Sequence, residues 1–184
     1  MKKRCEWAKD EPSTTYHDNE WGTPQHDDKI LFEFLILEGA QAGLSWTTIL
    51  NRRDGYRRAF SNFDAKKVSK YTQKKVEKLL HDESIIRNKL KINSAINNAK
   101  MFLKIQDEFG TFDKYLWAFV NHKPLKNKFK KHSDLPATSD ISEKLSKDLK
   151  KRGFNFVGPT ICYALMQAIG MANDHTSNCY LYQK

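Results

Sequence analysis

Cysteine is scarce in this chain: Cys5, Cys162 and Cys179 are the only three in 184 residues. So small and odd a number argues against a disulfide framework and fits a reducing interior with free or metal-bound thiols. Long apolar runs are missing as well. The longest, around "LFEFLILEGA", is interrupted by two glutamates and is far too short to cross a bilayer. An export signal is not visible, because the basic "MKKRCEW" continues into polar "AKDEPSTT" where an apolar stretch would be required. These absences point to the cytoplasm and away from membranes. Familiar catalytic signatures are also lacking: HExxH, the deaminase pair HxE and PCxxC, GxSxG, the Walker loop and GxGxxG. No internal repeat or low-complexity linker divides the chain, so a single domain over residues 1–184 is expected.

Positive charge, by contrast, is in excess: 32 Lys and Arg against 22 Asp and Glu, a formal +10. Such an imbalance favours a polyanionic partner, nucleic acid first. Charge alone does not separate such a partner from a merely solvated surface, and "KPLKNKFKKH" at 123–132 reads as a solvated loop.

Apolar spacing predicts an all-α fold with almost no sheet. Leu31, Phe34, Leu35 and Glu38 share one face, with Gly39 placed to stop that helix. Between Gln73 and Phe109, apolar residues including Val76, Leu79, Leu80, Ile92, Ile96, Ala99 and Leu103 recur at three and four; residues 115–120 fit strand or helix equally. Asp140 and Glu143 have capping-box spacing, Ile141, Leu145 and Leu149 form one line, and Gly153 supplies a left-handed stop. Pro159 suits a first helical position, with Ile161, Leu165 and Ile169 behind it. "LKKRGFNFVGPTICYALMQ" is therefore helix, tight hairpin, helix. Backbone amides exposed there suit a phosphate, although an ordinary αα-hairpin has the same pattern.

Glu38 shares a stripe with leucine and phenylalanine, where an unpaired charge is costly. It is read as either a structural ion-pair partner or a pocket acid; Glu33 falls off that stripe and reads as solvated. Trp7, Tyr16, Trp21 and Trp46 crowd the same stretch of chain. Core packing explains many such clusters, but flat faces beside an acid also suit a planar, electron-poor base. His175 and Cys179, four apart, can converge on one ion, and Cys5 with His17 offers a matching pair near the other end. Two thiolates and two imidazoles would make a closed tetrahedral zinc site that pins the termini together, though the spacings match no familiar finger. His26, His81, His122 and His132 read as surface or satisfied core residues, and Cys162 as a small buried hydrophobe.

In order, "CEW", "YHDNEWGTP", "LEGAQAGLSWTTIL", "YRRAFSNFD", "IIRNKLKINSAINNAK", "FVNHKP" and "KKRGFNFVGPTICYALMQAIGMANDH" resemble the bacterial 3-methyladenine DNA glycosylases of type I over essentially the whole chain. The resemblance implies a helix-hairpin-helix DNA glycosylase that flips out 3-methyladenine, hydrolyses its N-glycosidic bond and leaves an abasic site. It implies one structural zinc ion on Cys5, His17, His175 and Cys179, joining terminal segments of about 1–25 and 171–184. Glu38 would be the catalytic acid of the site and, with Tyr16, would recognise the base; Trp46 would stack on it, with Trp7 and Trp21 as further pocket aromatics. Gly43 and the wedge Leu44 would enter the duplex, and Lys151, Arg152, Gly153, Gly158 and Thr160 would grip its backbone. Asp174 is read as supporting the metal ligands from outside. Expected partners are double-stranded DNA with alkylated bases and free 3-methyladenine as product; the protein is expected to act as a monomer.

Two features depart from the family pattern: Ser13 stands where a tyrosine is common, and the spacing after Cys5 is one residue shorter; against the wider superfamily, Phe156 also replaces a customary hairpin glycine. Two other readings remain at this stage, a zinc-stabilised module that binds damaged DNA without cleaving it and a plain helical scaffold.

Overall fold

The structure is a computed structural model that describes residues 2–182. Its framework is ten α-helices with three 3₁₀ turns. The helices are α1 (Ser13–Asn19), α2 (Asp28–Gln41), α3 (Trp46–Leu50), α4 (Arg53–Ala59), α5 (Ala65–Val68), α6 (Gln73–Leu80), α7 (Lys89–Phe109), α8 (Phe112–Trp117), α9 (Asp140–Lys151) and α10 (Pro159–Ala168). One short parallel pair, β1 (Leu125–Lys126) with β2 (Ala172–Asn173), is the only sheet among the described residues.

Helix α2 is buried all round from Leu31 to Ala40, as expected of a central helix that others pack upon. Asp27 caps it, its carboxylate accepting from the amides of Lys29 and Ile30. The helix runs on through Gly39 instead of stopping there, for a packing reason. A Cβ at Gly39 would lie 3.4 Å from the Cβ of Phe156, so glycine lets the α9–α10 turn rest on α2. Glu33 is a second correction: it is buried, and its carboxylate accepts from Arg53 Nε at 2.7 Å and pairs with Arg57. Arg53 also reaches Glu20, so this buried network ties α4 to α2 and to the N-terminal arm.

The long helix α7 buries Ile92, Ala95, Ile96, Ala99, Phe102 and Ile105, while Leu103 is only partly covered. Residues 112–120 resolve as α8 followed by a 3₁₀ turn. Ser139 and Ser142, not Asp140 and Glu143, form the capping box of α9. Gly153 has the expected left-handed φ of 92°, and Pro159 opens α10 behind Gly158. Asn98 clamps the intervening turn, accepting from the Asn155 amide and donating to the Asn155 carbonyl, both at 2.8 Å. Ser146 Oγ adds a 2.6 Å bond to the Val157 carbonyl.

After α10 the chain turns at Gly170 (φ 72°), where a Cβ would lie 2.3 Å from the carbonyl carbon of Thr23. That close approach, with the amides of Gly22 and Gln25 donating to Gln167 and Ile169, holds the N-terminal arm against the end of α10. Gly170→Ala combines a strained φ with a backbone clash. It should cost about 2 kcal/mol or more, a fall in Tm of roughly 4–8 °C measurable by calorimetry; an unchanged Tm would mean that this contact is soft.

Candidate functional site

A cavity of about 320 Å³ opens beside the C-terminal end of α2, lined by Trp7, Tyr16, Trp21, Glu38 and Trp46 together with Gln41, His132, Leu135, Ala164 and Gln167. All five residues singled out in the sequence as base-pocket candidates are thus brought together. Tyr16 on α1 tilts against Trp46 with ring centroids 5.4 Å apart, and Trp7 meets Trp21 edge-on at 5.1 Å. The Glu38 side chain makes no hydrogen bond to any described residue, and burial alone pushes its pKa up to about 8. Four buried side-chain polar atoms lack a partner among the described residues, and two of them, Tyr16 Oη and Trp46 Nε1, belong to this cavity. Unsatisfied groups concentrated in one hollow mark a place where a polar ligand completes the bonding.

A second hollow, about 240 Å³, shares Glu38, Gln41 and Ala164 with the first and continues past Ala42, Gly43 and Leu44 to Thr160 and Ile161. Glu38 therefore sits where a groove between the 42–44 turn and the start of α10 meets the aromatic cavity. Gly43 is exposed with a left-handed φ of 76°, and Leu44 is one of only three large apolar residues exposed among the described residues. Lys91 holds this turn, its Nζ donating to the carbonyls of Ala40 and Ala42 at 2.8 and 2.7 Å. Within the α9–α10 hairpin Lys151, Gly153 and Thr160 are exposed and Gly158 is half-buried. Arg152 differs: its guanidinium is engaged by Asp148 and Glu108 and lies over the rings of Phe109 and Tyr115.

A more voluminous hollow of about 440 Å³ lies around Ser61–Lys67, but its acids are already engaged. Asp28 accepts from Gln106 and from the amides of Phe112 and Asp113, and Asp64 caps α5.

Behind the aromatic cavity, Cys5, His17 and Cys179 are all buried, with one ligand atom from each lying within 4.8 Å of the others. His17 Nε2 is 3.4 Å from Cys179 Sγ, and its Nδ1 meets Asp18 at 2.9 Å, which fixes the ring orientation. Arg4 grips Asp18 in turn. His175 stands edge-on to His17 at 5.1 Å, and its Nε2 is the third buried orphan. Burial lowers the His175 pKa to about 4, so the ring is neutral at physiological pH, and burial pushes the Cys5 thiol up to about 11. Buried thiols beside proton-free imidazole nitrogens fit a soft divalent cation. His175 is not among these three converging ligands; Gly22 leaves room for its ring beside them, because a Cβ there would lie 2.7 Å from the imidazole.

Asp174 does not support the ligands, contrary to the sequence reading. It accepts from Asn127, Tyr163 and Gln167 instead, and Asp18 has the supporting place. Sequence reasoning also passed over His132 and Leu135 in the cavity wall and the hairpin clamp Asn98. No local pattern marks the first two, because they arrive on an irregular segment; Asn98, a polar residue beside the buried line of α7, was the one legible hint. At the departure noted for Ser13, the hydroxyl bonds to Thr47 at 3.2 Å, linking α1 to α3.

The class is thus an all-α protein with an acid set among aromatic faces, beside an exposed leucine and a glycine-bearing hairpin. The chain belongs to the methyladenine glycosylase family, whose model matches residues 7–182. It is 46% identical over 181 residues to DNA-3-methyladenine glycosylase 1 of Escherichia coli (strain K12), covering 98% of this chain and 97% of that one. A crystal structure of 3-methyladenine DNA glycosylase I superposes with a TM-score of 0.95 at 42% identity, covering 97% and 99% of the two chains. A variant of such an enzyme in complex with 3-methyladenine matches with a TM-score of 0.93 at 36% identity, covering 96% of each.

Proposed function

We propose that the protein is a monofunctional DNA base-excision repair glycosylase of helix-hairpin-helix type that removes 3-methyladenine from alkylated duplex DNA and leaves an abasic site. The carrying observation is an unpartnered, buried carboxylate, Glu38, in a cavity otherwise walled by Trp7, Tyr16, Trp21 and Trp46. N3 methylation places a positive charge on adenine, which weakens the bond to C1′ and lets the base depart neutral. The electrons of that bond stay with the purine, water oxygen bonds to C1′, and a water proton is lost. Little acid catalysis is needed, so the protein's tasks are flipping, holding and orienting. Trp46 stacks on the cationic ring, while Tyr16 and Glu38 meet its edge, Glu38 accepting hydrogen bonds, an arrangement that favours the methylated base over ordinary adenine. Gly43 and Leu44 fill the gap left in the duplex. Lys151, Gly153, Gly158 and Thr160 hold the backbone.

Cys5, His17, His175 and Cys179 would hold one zinc ion, which would supply a structural cross-link between the terminal segments. The orphaned Nε2 of His175 supports that ligand set. The whole chain works as one monomeric domain in the cytoplasm. Chromatography of bases freed from methylated duplex tests the reading: 3-methyladenine should appear, with strands left uncut until alkali is added. Tight duplex binding with no freed base would sink it in favour of a binding module.

A further inference from the structure

The segment from Lys123 to His132 is not a free loop. Leu125 and Lys126 pair with Ala172 and Asn173, the Asn127 side chain donates to Asp174 at 2.7 Å, and the Phe129 carbonyl accepts from the Ser177 amide. Burial alternates along it. Leu125, Asn127 and Phe129 turn inward, while Lys126, Lys128 and Lys130 are exposed, as the two-residue period of extended chain dictates. Lys123 and Lys131 are exposed too, and among the described residues none of these five lysines forms an ion pair. The neighbouring acid, Asp134, is taken up by the amides of Lys130 and Lys131. The strap then ends in the wall of the aromatic cavity, through His132 and Leu135.

We propose that this lysine strap is a second backbone-binding surface for duplex DNA, in addition to the α9–α10 hairpin. Thr160 of the hairpin region and His132 of the strap line adjoining hollows that share Glu38, Gln41 and Ala164. A nucleotide seated against Glu38 therefore has both the hairpin and the strap adjoining it. Exposed, unpaired lysines on an anchored backbone neutralise phosphates without reading bases. The proposal rests on the DNA-directed reading above.

The test is the triple change Lys128→Gln, Lys130→Gln and Lys131→Gln, sparing Lys126, whose amine lies 5.0 Å from the centre of the Tyr182 ring. Duplex affinity is measured against salt concentration. If the three amines neutralise phosphates, the slope of log affinity against log salt becomes shallower by about 2–3, since each contact contributes roughly 0.9. Affinity at moderate salt falls by at least about tenfold, while binding of free 3-methyladenine is unchanged. The corresponding arginine triple should restore the slope. An unaltered slope and affinity in a glutamine triple that still releases base would overturn the strap alone. Failure of the parent protein to bind duplex would overturn both readings.

Discussion

Glu38→Gln is expected to reduce kcat/KM for 3-methyladenine release by about 100-fold or more, equivalent to roughly 3 kcal/mol, with fold and metal content intact. Glutamine keeps the shape and one acceptor oxygen but loses the negative charge that favours a cationic base. The variant should also separate from the parent in its response to pH. Burial raises the Glu38 pKa to about 8, so the folded protein holds a proton that the unfolded chain releases near the ordinary carboxylate value. The Glu38 contribution to stability is therefore fully present in acid and is lost as pH rises toward 8, whereas glutamine carries no such dependence. The two proteins should melt together near pH 5, and the variant should melt at the higher temperature near pH 9. Activity runs the other way: kcat/KM of the parent climbs as pH rises toward 8 and the carboxylate ionises, and the variant lacks that limb. Equal base release at every pH would remove Glu38 from the mechanism, and a flat difference in melting temperature would show that its carboxylate is solvated.

The second large effect concerns the buried thiol–imidazole cluster. Purified protein should contain one zinc per chain, and His175→Ala should lose most of it, because three remaining ligands leave the ion open to water. The loss should exceed about 3 kcal/mol, or roughly 6–12 °C in Tm. Its reach extends beyond the termini. Trp21 packs on the His175 ring at 4.7 Å and Trp7 on the His17 ring at 5.3 Å, so both lie between the cluster and the cavity. Affinity for free 3-methyladenine should weaken along with stability. Hydrogen exchange should find protection lost in residues 3–8 and 171–181 before α2 is affected. Metal-free parent protein with an unchanged Tm in chelator would dismiss the ion altogether.

Elements that owe their form to local periodicity were legible in the sequence. The α9–α10 unit could be read from Gly153, Pro159 and the line of Leu145 and Leu149, and the five pocket residues from their types and from the resemblance. Several of the misreadings share one physical origin, which is that partners distant in sequence decide them. Glu33 lies off the narrow stripe used to predict α2, but a helix covered on every side has no solvent face, and Arg53 and Arg57 come from another helix. Gly39 looked like a stop because nothing local reveals that Phe156 will press upon it. The lysines of residues 123–132 are solvated as read, but the anchoring of that segment was hidden, because its pairing with residues 172 and 173 is a contact across nearly fifty positions. Asp174 was assigned by adjacency to His175, although its carboxylate turns toward α10.

Helix α2 carries Glu38 in its last turn and delivers Ala42, Gly43 and Leu44 from its end, with Lys91 tying off the last carbonyls. A close-packed rod of this kind transmits displacement without absorbing it. Glu38 and Leu44 are consequently held at a fixed separation, like two marks on a gauge. If Leu44 enters the duplex as proposed, inspection of a suspect nucleotide becomes a matter of the double helix deforming to match a stiff template, and the easily unstacked lesion is the one that fits.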